Sequence, residues 1–125
     1  MTKLSLQTGQ LKKAIGRLNE VLALPKTDII RDSAIQRFEF CLDLAWKSLQ
    51  TYLKEQKGIV VNSPKDTFRE ASQNQLISFS DNWIKLVDLR NETVHTYDEE
   101  TAEKVYQELP SALVHLQEIL SSLSS

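Results

Sequence analysis

Four side chains that could do chemistry lie within one octet of the sequence, from Arg90 to Tyr97. Arg90 carries a planar fork of donors that suits a phosphate group, and Asn91 places a carboxamide beside it. His95 has the one side chain whose ordinary pKa lies near neutrality, so it can take or give a proton. Tyr97 adds a phenol two residues later. The octet therefore combines phosphate binding with proton transfer.

The spacing within the octet decides which side chains can meet. On an unbroken helix Arg90 and His95 would lie roughly 140° apart, whereas Asn91 and His95 would share a face. A break is indicated, because Thr96 followed by Glu99 matches a capping box that would open the last helix. We therefore place His95 in or beside a turn and Arg90 on the final turn of the preceding helix. The bland interpretation is a dipole-stabilising arginine and a solvated histidine.

Length and composition place the chain among single globular domains. It has 125 residues, 41% hydrophobic and 26% charged, which predicts one domain over residues 1–125. The net charge of -2 means that any RNA binding must use a local patch. The lone Cys41 cannot form an intrachain disulfide and is expected to be a buried thiol. Without a transmembrane run or a signal peptide, we expect a cytoplasmic protein with no membrane contact.

Apolar residues recur at steps of three and four, which predicts an all-α, antiparallel up-and-down bundle of four or five helices. Pro25 should end the first helix, Asp28 should cap the second, and Gly58 should end that second helix. Residues 59–61 are predicted to be a packed extended linker rather than a strand. Pro110 should kink or split the last helix. The predicted helices are 3–23, 28–57, 64–74, 80–92 and 98–122.

Several kinds of site are missing from the sequence. It contains no Gly-rich phosphate loop, no Gly-Ser followed by paired aspartates as a nucleotidyltransferase needs, and no Cys/His metal cluster. We therefore expect no metal site and no cofactor, and the chain should not carry out nucleotidyl transfer itself.

Polar residues on the second helix allow more than one interpretation. Glu39, Asp43 and Lys47 are spaced by four, which favours a solvated stripe with an Asp43–Lys47 pair. Trp46 lies off the apolar stripe, so it should contact a neighbouring helix, a second subunit or a base; packing or a dimer contact is favoured. Trp46 and Lys47 are kept as weak candidates for binding a substrate or partner.

Three separated blocks, in residues 37–49, 63–71 and 90–102, resemble the nucleotidyltransferase substrate-binding protein family. This family is a branch of the HEPN (higher eukaryotes and prokaryotes nucleotide-binding) superfamily, and the similarity spans roughly residues 28–109. The resemblance implies a helical bundle, a homodimer and a separately encoded minimal nucleotidyltransferase as partner. In related toxin–antitoxin pairs, the Arg-Asn…His element cleaves RNA without a metal, and the partner silences it by attaching AMP to the following Tyr.

By this resemblance Arg90, Asn91 and His95 are the catalytic positions and Tyr97 is the modified residue. Because one motif histidine per chain cannot readily be both acid and base, the active cleft should combine two subunits around a two-fold axis. The alternative is a non-catalytic module that binds a nucleotide or substrate, or simply docks on the nucleotidyltransferase. In that case Arg90 and Asn91 would be phosphate ligands.

Overall fold

A computed structural model of the protein describes residues 2–78 and 81–124. Within these ranges the chain forms helices and connecting segments, with no strand. The all-helical prediction is therefore confirmed, and Ser80, the predicted start of the fourth helix, lies outside the described residues. The elements in order are α1 (Lys3–Leu22), α2 (Asp28–Lys57), α3 (Pro64–Gln73), α4 (Asn82–Glu92), a 3₁₀ turn (Thr93–His95) and α5 (Glu99–Ser124).

Local sequence signals explain where the helices begin and end. The Thr27 side chain accepts a hydrogen bond from the Ile30 backbone N–H at 3.1 Å, so Thr27 is the N-cap and not Asp28 as predicted. Ser63 caps α3 in the same way, and Pro64 occupies the first helical position, where a missing N–H costs nothing. Gly58 ends α2 with a left-handed φ of 66°, a conformation that glycine adopts without strain.

The core lies around α2, which contacts each of the other elements. Its buried residues recur at steps of three and four, so one broad stripe packs against α1 and α5. Phe38, Leu42 and Leu49 are buried at the centre of this stripe, and Phe68 of α3 stacks on Trp83 of α4 with ring centroids 6.5 Å apart. The long helix α2 is thus the element against which α4 and the 3₁₀ turn, which carry most of the octet, are packed.

Arg31 ties the beginning of α2 to the beginning of α5. Its side chain is only 2% exposed, and Nη1 donates to Glu99 at 2.8 Å and to Glu103 at 3.0 Å. Its Nε donates to Asp32 at 3.0 Å. The hydrogen bonds to Glu99, Glu103 and Asp32 raise the pKa of Arg31 above its ordinary value. Because α2 and α5 pack against each other and their beginnings meet at this guanidinium, the two helices run in the same direction.

The linker and the last helix test two further predictions. No strand forms at residues 59–61, as predicted, and the end of this linker is packed, because the Val61 carbonyl accepts a hydrogen bond from Gln50 Nε2 at 2.7 Å and the Val61 side chain is buried. Val60 is exposed. Helix α5 continues through Pro110, so of the two predicted outcomes, a kink or a split, the split is wrong. Proline removes one backbone hydrogen bond, but Leu109 and Ala112 on either side are buried and hold the helix against the core.

Two general properties complete the fold. Burial raises the pKa of Cys41 to about 12, so it is a neutral, packed thiol as predicted. In the part of the chain that is described, no helix is both long and apolar enough to cross a membrane.

Candidate functional site

Arg90 lies on the last turn of α4 and reaches the middle of α2. Its Nε and Nη2 donate to the two carboxylate oxygens of Asp43 at 3.2 and 3.3 Å. Its Nη1 lies 3.8 Å from Glu39 Oε2, and the side chain remains 27% exposed. The hydrogen bond to Asp43 raises the pKa of Arg90, and the charges of Asp43 and Glu39 act in the same direction. Arg90 is therefore a fixed cation at the surface.

Thr93 holds the same guanidinium from the other side. Thr93 Oγ1 accepts from Arg90 Nη1 at 3.0 Å and donates to the Arg90 carbonyl at 2.7 Å. Thr93 is buried, so this contact is sheltered from water. A guanidinium has five N–H donors, and three of those of Arg90 are used by Asp43 and Thr93. Among the described residues the other two donors have no hydrogen-bond partner, so they remain for an anion on a side chain whose orientation is already set.

His95 and Tyr97 extend from the turn after α4 into solvent. His95 is exposed and Tyr97 is 84% exposed, with their ring centroids 6.3 Å apart and the rings edge to face. Asn91 is also exposed. Across residues 2–78 and 81–124, none of these three side chains has a hydrogen-bond partner. All three are therefore open to a ligand or to another chain.

The 3₁₀ turn separates Arg90 from His95. Helix α4 passes directly into Thr93–His95, and a 3₁₀ helix winds about 120° per residue instead of about 100°. Summed over the five steps, Arg90 and His95 lie roughly 160° apart around the axis. No contact joins them within the described residues. The predicted places of Arg90 and His95 are confirmed, yet the break does not bring them together within one chain.

A family model described as "Nucleotidyltransferase substrate binding protein like" matches residues 6–125. The chain belongs to this family. A curated relative from Haemophilus influenzae, named "Probable ribonuclease HepT", is 34% identical over 100 residues, which cover 77% of this chain and 68% of the relative.

Solved structures agree with this placement in the nucleotidyltransferase substrate-binding family. A protein from Thermus thermophilus is 35% identical, with a TM-score of 0.86 over 92% of this chain and 99% of that one. HI0074 from Haemophilus influenzae, whose structure is described as the fold of a substrate binding domain of a nucleotidyltransferase, is 30% identical. Its TM-score is 0.71 over 98% of this chain and 97% of that one. A mutant MntA–HepT toxin–antitoxin structure is 23% identical, with a TM-score of 0.81 over 97% and 96% of the chains, and shows the shared fold.

In this family member the predicted capping box is wrong. Thr96 Oγ1 donates to the Thr93 carbonyl at 2.8 Å, because the 3₁₀ turn brings that carbonyl within reach. Asp98 caps α5 instead, and its Oδ2 accepts from the Thr101 hydroxyl at 2.8 Å and backbone N–H at 3.0 Å. These two hydrogen bonds lower the pKa of Asp98. The cap therefore begins two residues later than predicted.

The solvated stripe predicted on α2 is also wrong in part. Asp43 and Glu39 face Arg90 of α4, and no ion pair between Asp43 and Lys47 is found among the described residues. The bidentate guanidinium of Arg90 is the better partner for a carboxylate. Asp43, Glu39 and Thr93 are the positioning residues that the sequence analysis missed. The acids spaced by four on α2 were the available signal, but nothing local says which cation they face.

Trp46 and Lys47 have different surroundings although they are neighbours in sequence. Trp46 is partly buried and packs against the core, in agreement with the packing interpretation. Lys47 is exposed and lines a groove between α1 and α2. The second histidine, His115, lies 3.8 Å from Glu118 on α5 and lines a cavity between α4 and α5. No group of three or more His, Cys, Asp or Glu side chains in the described ranges is arranged to hold a metal ion.

Proposed function

We propose that this chain is a metal-independent endoribonuclease, the toxin subunit of a two-gene module whose other product is a minimal nucleotidyltransferase. Its membership of the family and the name of the relative from Haemophilus influenzae support this proposal. The observation that carries it is the guanidinium of Arg90, oriented by Asp43 and Thr93 with two donors open, beside a turn that exposes His95. A cation that is fixed before the ligand arrives costs little reorganisation when charge develops on a phosphate.

RNA cleavage without a metal requires a base, an acid and cations around the pentacoordinate phosphorus. In the proposed reaction His95 takes the proton of the ribose 2′-hydroxyl, and the 2′-oxygen bonds to phosphorus. The bond from phosphorus to the 5′-oxygen of the next nucleotide breaks, and a second His95 gives that oxygen a proton. The products are a 2′,3′-cyclic phosphate and a 5′-hydroxyl. Arg90 binds the nonbridging oxygens, and Asn91 orients the imidazole or donates to the phosphate.

The proposed site combines two copies of the chain. Each chain supplies one His95, and that residue points away from the Arg90 of its own chain by roughly 160°. A two-fold axis would place the Arg90 of one copy against the His95 of the other and supply the second imidazole. Light scattering should give a dimer mass at micromolar concentration. A monomer mass that does not change with concentration would contradict the composite site.

The direct test is an assay on RNA without metal. Purified protein is incubated with total RNA in EDTA, and His95→Ala is compared with wild type. Loss of general acid–base catalysis should lower the cleavage rate by roughly 100- to 10,000-fold. His115→Ala is the matched control and should cleave at the wild-type rate. Wild-type cleavage that disappears in EDTA, or an unimpaired His95→Ala protein, would refute the proposed mechanism.

Regulation by a nucleotidyltransferase is proposed at Tyr97. Its phenol is 84% exposed and edge to face with His95, so a transferase can reach it. Attached AMP would add bulk and a phosphodiester charge close to the catalytic turn, which blocks RNA sterically and competes for cations. Incubation with the cognate nucleotidyltransferase, ATP and magnesium should add the mass of one AMP per chain. An adduct that persists undiminished in Tyr97→Phe would contradict this assignment.

A non-catalytic binding subunit is the second candidate function. It is favoured by the engagement of Arg90 with Asp43 and by the description of HI0074 as a substrate binding domain of a nucleotidyltransferase. In this alternative, neither wild type nor His95→Ala cleaves RNA, while Arg90→Ala weakens nucleotide binding. The RNA assay with His95→Ala thus separates the two functions.

A further inference from the structure

A groove of about 460 Å³ runs between α1 and α2, next to the Arg90 site but distinct from the octet. Its α1 wall consists of Gln10, Lys13, Ala14 and Arg17, at helical steps of three and four. Its α2 wall repeats this spacing and consists of Arg37, Phe40, Asp43, Leu44 and Lys47. The volume lies within the range of roughly 300–1,000 Å³ that is typical of ligand sites.

The cations of this groove are uncompensated. Lys13, Arg17, Arg37 and Lys47 line it, and in the portion of the chain that is described none of the four forms an ion pair. Arg31 and Arg90, by contrast, are paired with carboxylates. In a chain of net charge -2, four unpaired cations around one concavity form a local positive patch, and they repel one another unless an anion is present.

The floor of the groove is apolar and includes an exposed aromatic ring. Ala14 and Leu44 are partly buried against the core, and Phe40, which also lines the groove, is 52% exposed. A half-exposed phenyl ring flanked by cations has the composition of sites that bind single-stranded nucleic acid, where bases stack on rings and cations track phosphates. An acidic peptide would use the cations and leave the ring without a matching flat partner.

Asp43 connects the groove to the site at Arg90. Its carboxylate lines the groove, and both of its oxygens accept hydrogen bonds from Arg90. This pairing offsets the only acidic charge among the residues that line the groove. A strand lying in the groove is therefore separated by one side chain from the guanidinium proposed to bind the scissile phosphate.

We infer that the α1–α2 groove binds single-stranded RNA, with phosphates on Lys13, Arg17, Arg37 and Lys47 and one base stacked on Phe40. The inference deepens the proposed function, because this segment of RNA would lead the scissile phosphate to Arg90. Binding in the groove does not require cleavage, so the two can be tested apart.

The test is fluorescence anisotropy of a short labelled oligouridylate in EDTA, with all proteins carrying His95→Ala so that the probe stays intact. Lys13→Gln/Arg17→Gln should weaken binding about 10-fold or more. It should also flatten the dependence of log K on log salt by roughly 1 to 1.5, because about two phosphate contacts are lost. The matched control is Lys12→Gln/Lys57→Gln, which removes the same charge from exposed positions of α1 and α2 that do not line the groove. It should bind at nearly the affinity of the parent.

A second pair of variants tests the stacking. Phe40→Ala should weaken binding about 5- to 100-fold with an unchanged salt slope, because a stacked base and not a phosphate contact is lost. Leu24→Ala, at a position equally exposed but outside the groove, should have no effect. If polyglutamate binds as tightly as the oligouridylate and Phe40→Ala changes neither, the groove takes an acidic peptide and the inference is overturned.

The remaining outcomes separate this inference from the proposed function. If the groove variants bind RNA as well as their controls do, the inference fails, whether or not the wild type cleaves. If they lose binding while wild type fails to cleave, the groove is established and the ribonuclease proposal fails. If light scattering shows that Lys13→Gln/Arg17→Gln changes the oligomeric state, the groove is a contact between copies of the chain, and the inference is overturned.

Discussion

Arg31 and Arg90 both reach acidic side chains of another helix, and their surroundings differ in one respect that matters for function. Arg31 is 2% exposed and forms ion pairs with Glu99, Glu103 and Asp32, so its guanidinium is almost completely shielded from solvent. Arg90 is 27% exposed, and its hydrogen bonds to Asp43 and Thr93 use one side of the fork. The first arginine joins two helices. The second is held in place but still has donors facing solvent.

The difference shows that an ion pair does not by itself distinguish a structural arginine from a functional one. If a buried guanidinium loses its carboxylate partners, its positive charge is left uncompensated. If the guanidinium is removed, the charges of the carboxylates are left uncompensated. A partly exposed guanidinium can exchange water for a phosphate without breaking the contacts that orient it. Each guanidinium uses three of its five donors, so exposure to solvent is the feature that distinguishes Arg90 from Arg31.

In the comparison of the two arginines, the largest expected effect comes from replacing the guanidinium of Arg90. Arg90→Lys keeps a cation beside Asp43 but cannot reproduce the bidentate geometry or the contact with Thr93. The rate of RNA cleavage should fall roughly 100-fold, while the melting temperature changes by no more than about 3 °C because the site is partly solvated. Single-turnover cleavage and thermal unfolding measure the two quantities. Wild-type cleavage by Arg90→Lys would remove Arg90 from the proposed chemistry.

The complementary change at Arg31 should affect stability and not chemistry. Arg31→Met removes the charge-assisted hydrogen bonds from α2 to Glu99 and Glu103 of α5, so the melting temperature should fall by roughly 5 to 10 °C. Cleavage per folded molecule should be unchanged. Arg69→Met is the control, because Arg69 is 52% exposed and pairs with Asp66 at the surface; it should shift the melting temperature by no more than about 2 °C. Equal shifts in melting temperature for Arg31→Met and Arg69→Met would show that burial of an arginine does not determine how much it stabilises the fold.

The sequence predicted the helices well because their signals are local. The steps of three and four in α2, the cap before α3 and Gly58 after α2 act within a few residues, so the bounds of α2 agree with the prediction. The octet was placed correctly for the same reason, with Arg90 on α4 and His95 in a turn.

Contacts between distant segments could not be predicted in the same way. Arg90 meets Asp43 across 47 positions, and Arg31 meets Glu99 across 68 positions. Many acids in the chain could have served as either partner, and only the packing of the bundle selects among them. Even the error at Thr96 has this origin, since the 3₁₀ turn that redirects its hydroxyl forms where Thr93 is buried.

A middle-sized effect should distinguish the two acids that face Arg90. Asp43 makes two hydrogen bonds to the guanidinium, whereas Glu39 lies 3.8 Å away. Asp43→Asn should lower the cleavage rate about 10-fold by loosening the fork, and Glu39→Gln should lower it less than about 3-fold. Because both changes remove one negative charge, each is the control for the other. Equal effects would mean that the acids of α2 act on Arg90 through their negative charge and not by orienting its guanidinium.

The smallest effect concerns the pH dependence of the Arg31 cluster. The hydrogen bond from Lys26, followed by that from Arg31, lowers the pKa of Glu103 below its ordinary value near 4.5. The unfolded chain therefore binds this proton at a higher pH than the folded chain does. The stability that Glu103 contributes is fully present above its ordinary pKa and is lost as the pH falls through the lower, folded-state value.

Glu103→Gln should accordingly melt a few degrees below wild type at pH 7, and the two melting temperatures should converge as the pH falls below the ordinary pKa near 4.5 and through the lower, folded-state value. Between pH 7 and pH 5 the difference should be constant, because the carboxylate is ionised in both states. Glu100→Gln is the control, since its exposed pair with Lys104 lies on the surface of α5 and contributes little. A gap between wild type and Glu103→Gln that stays constant down to pH 3 would mean that this carboxylate does not stabilise the fold through its charge. The difference in stability between the buried Arg31 and the partly exposed Arg90 would then come from packing alone.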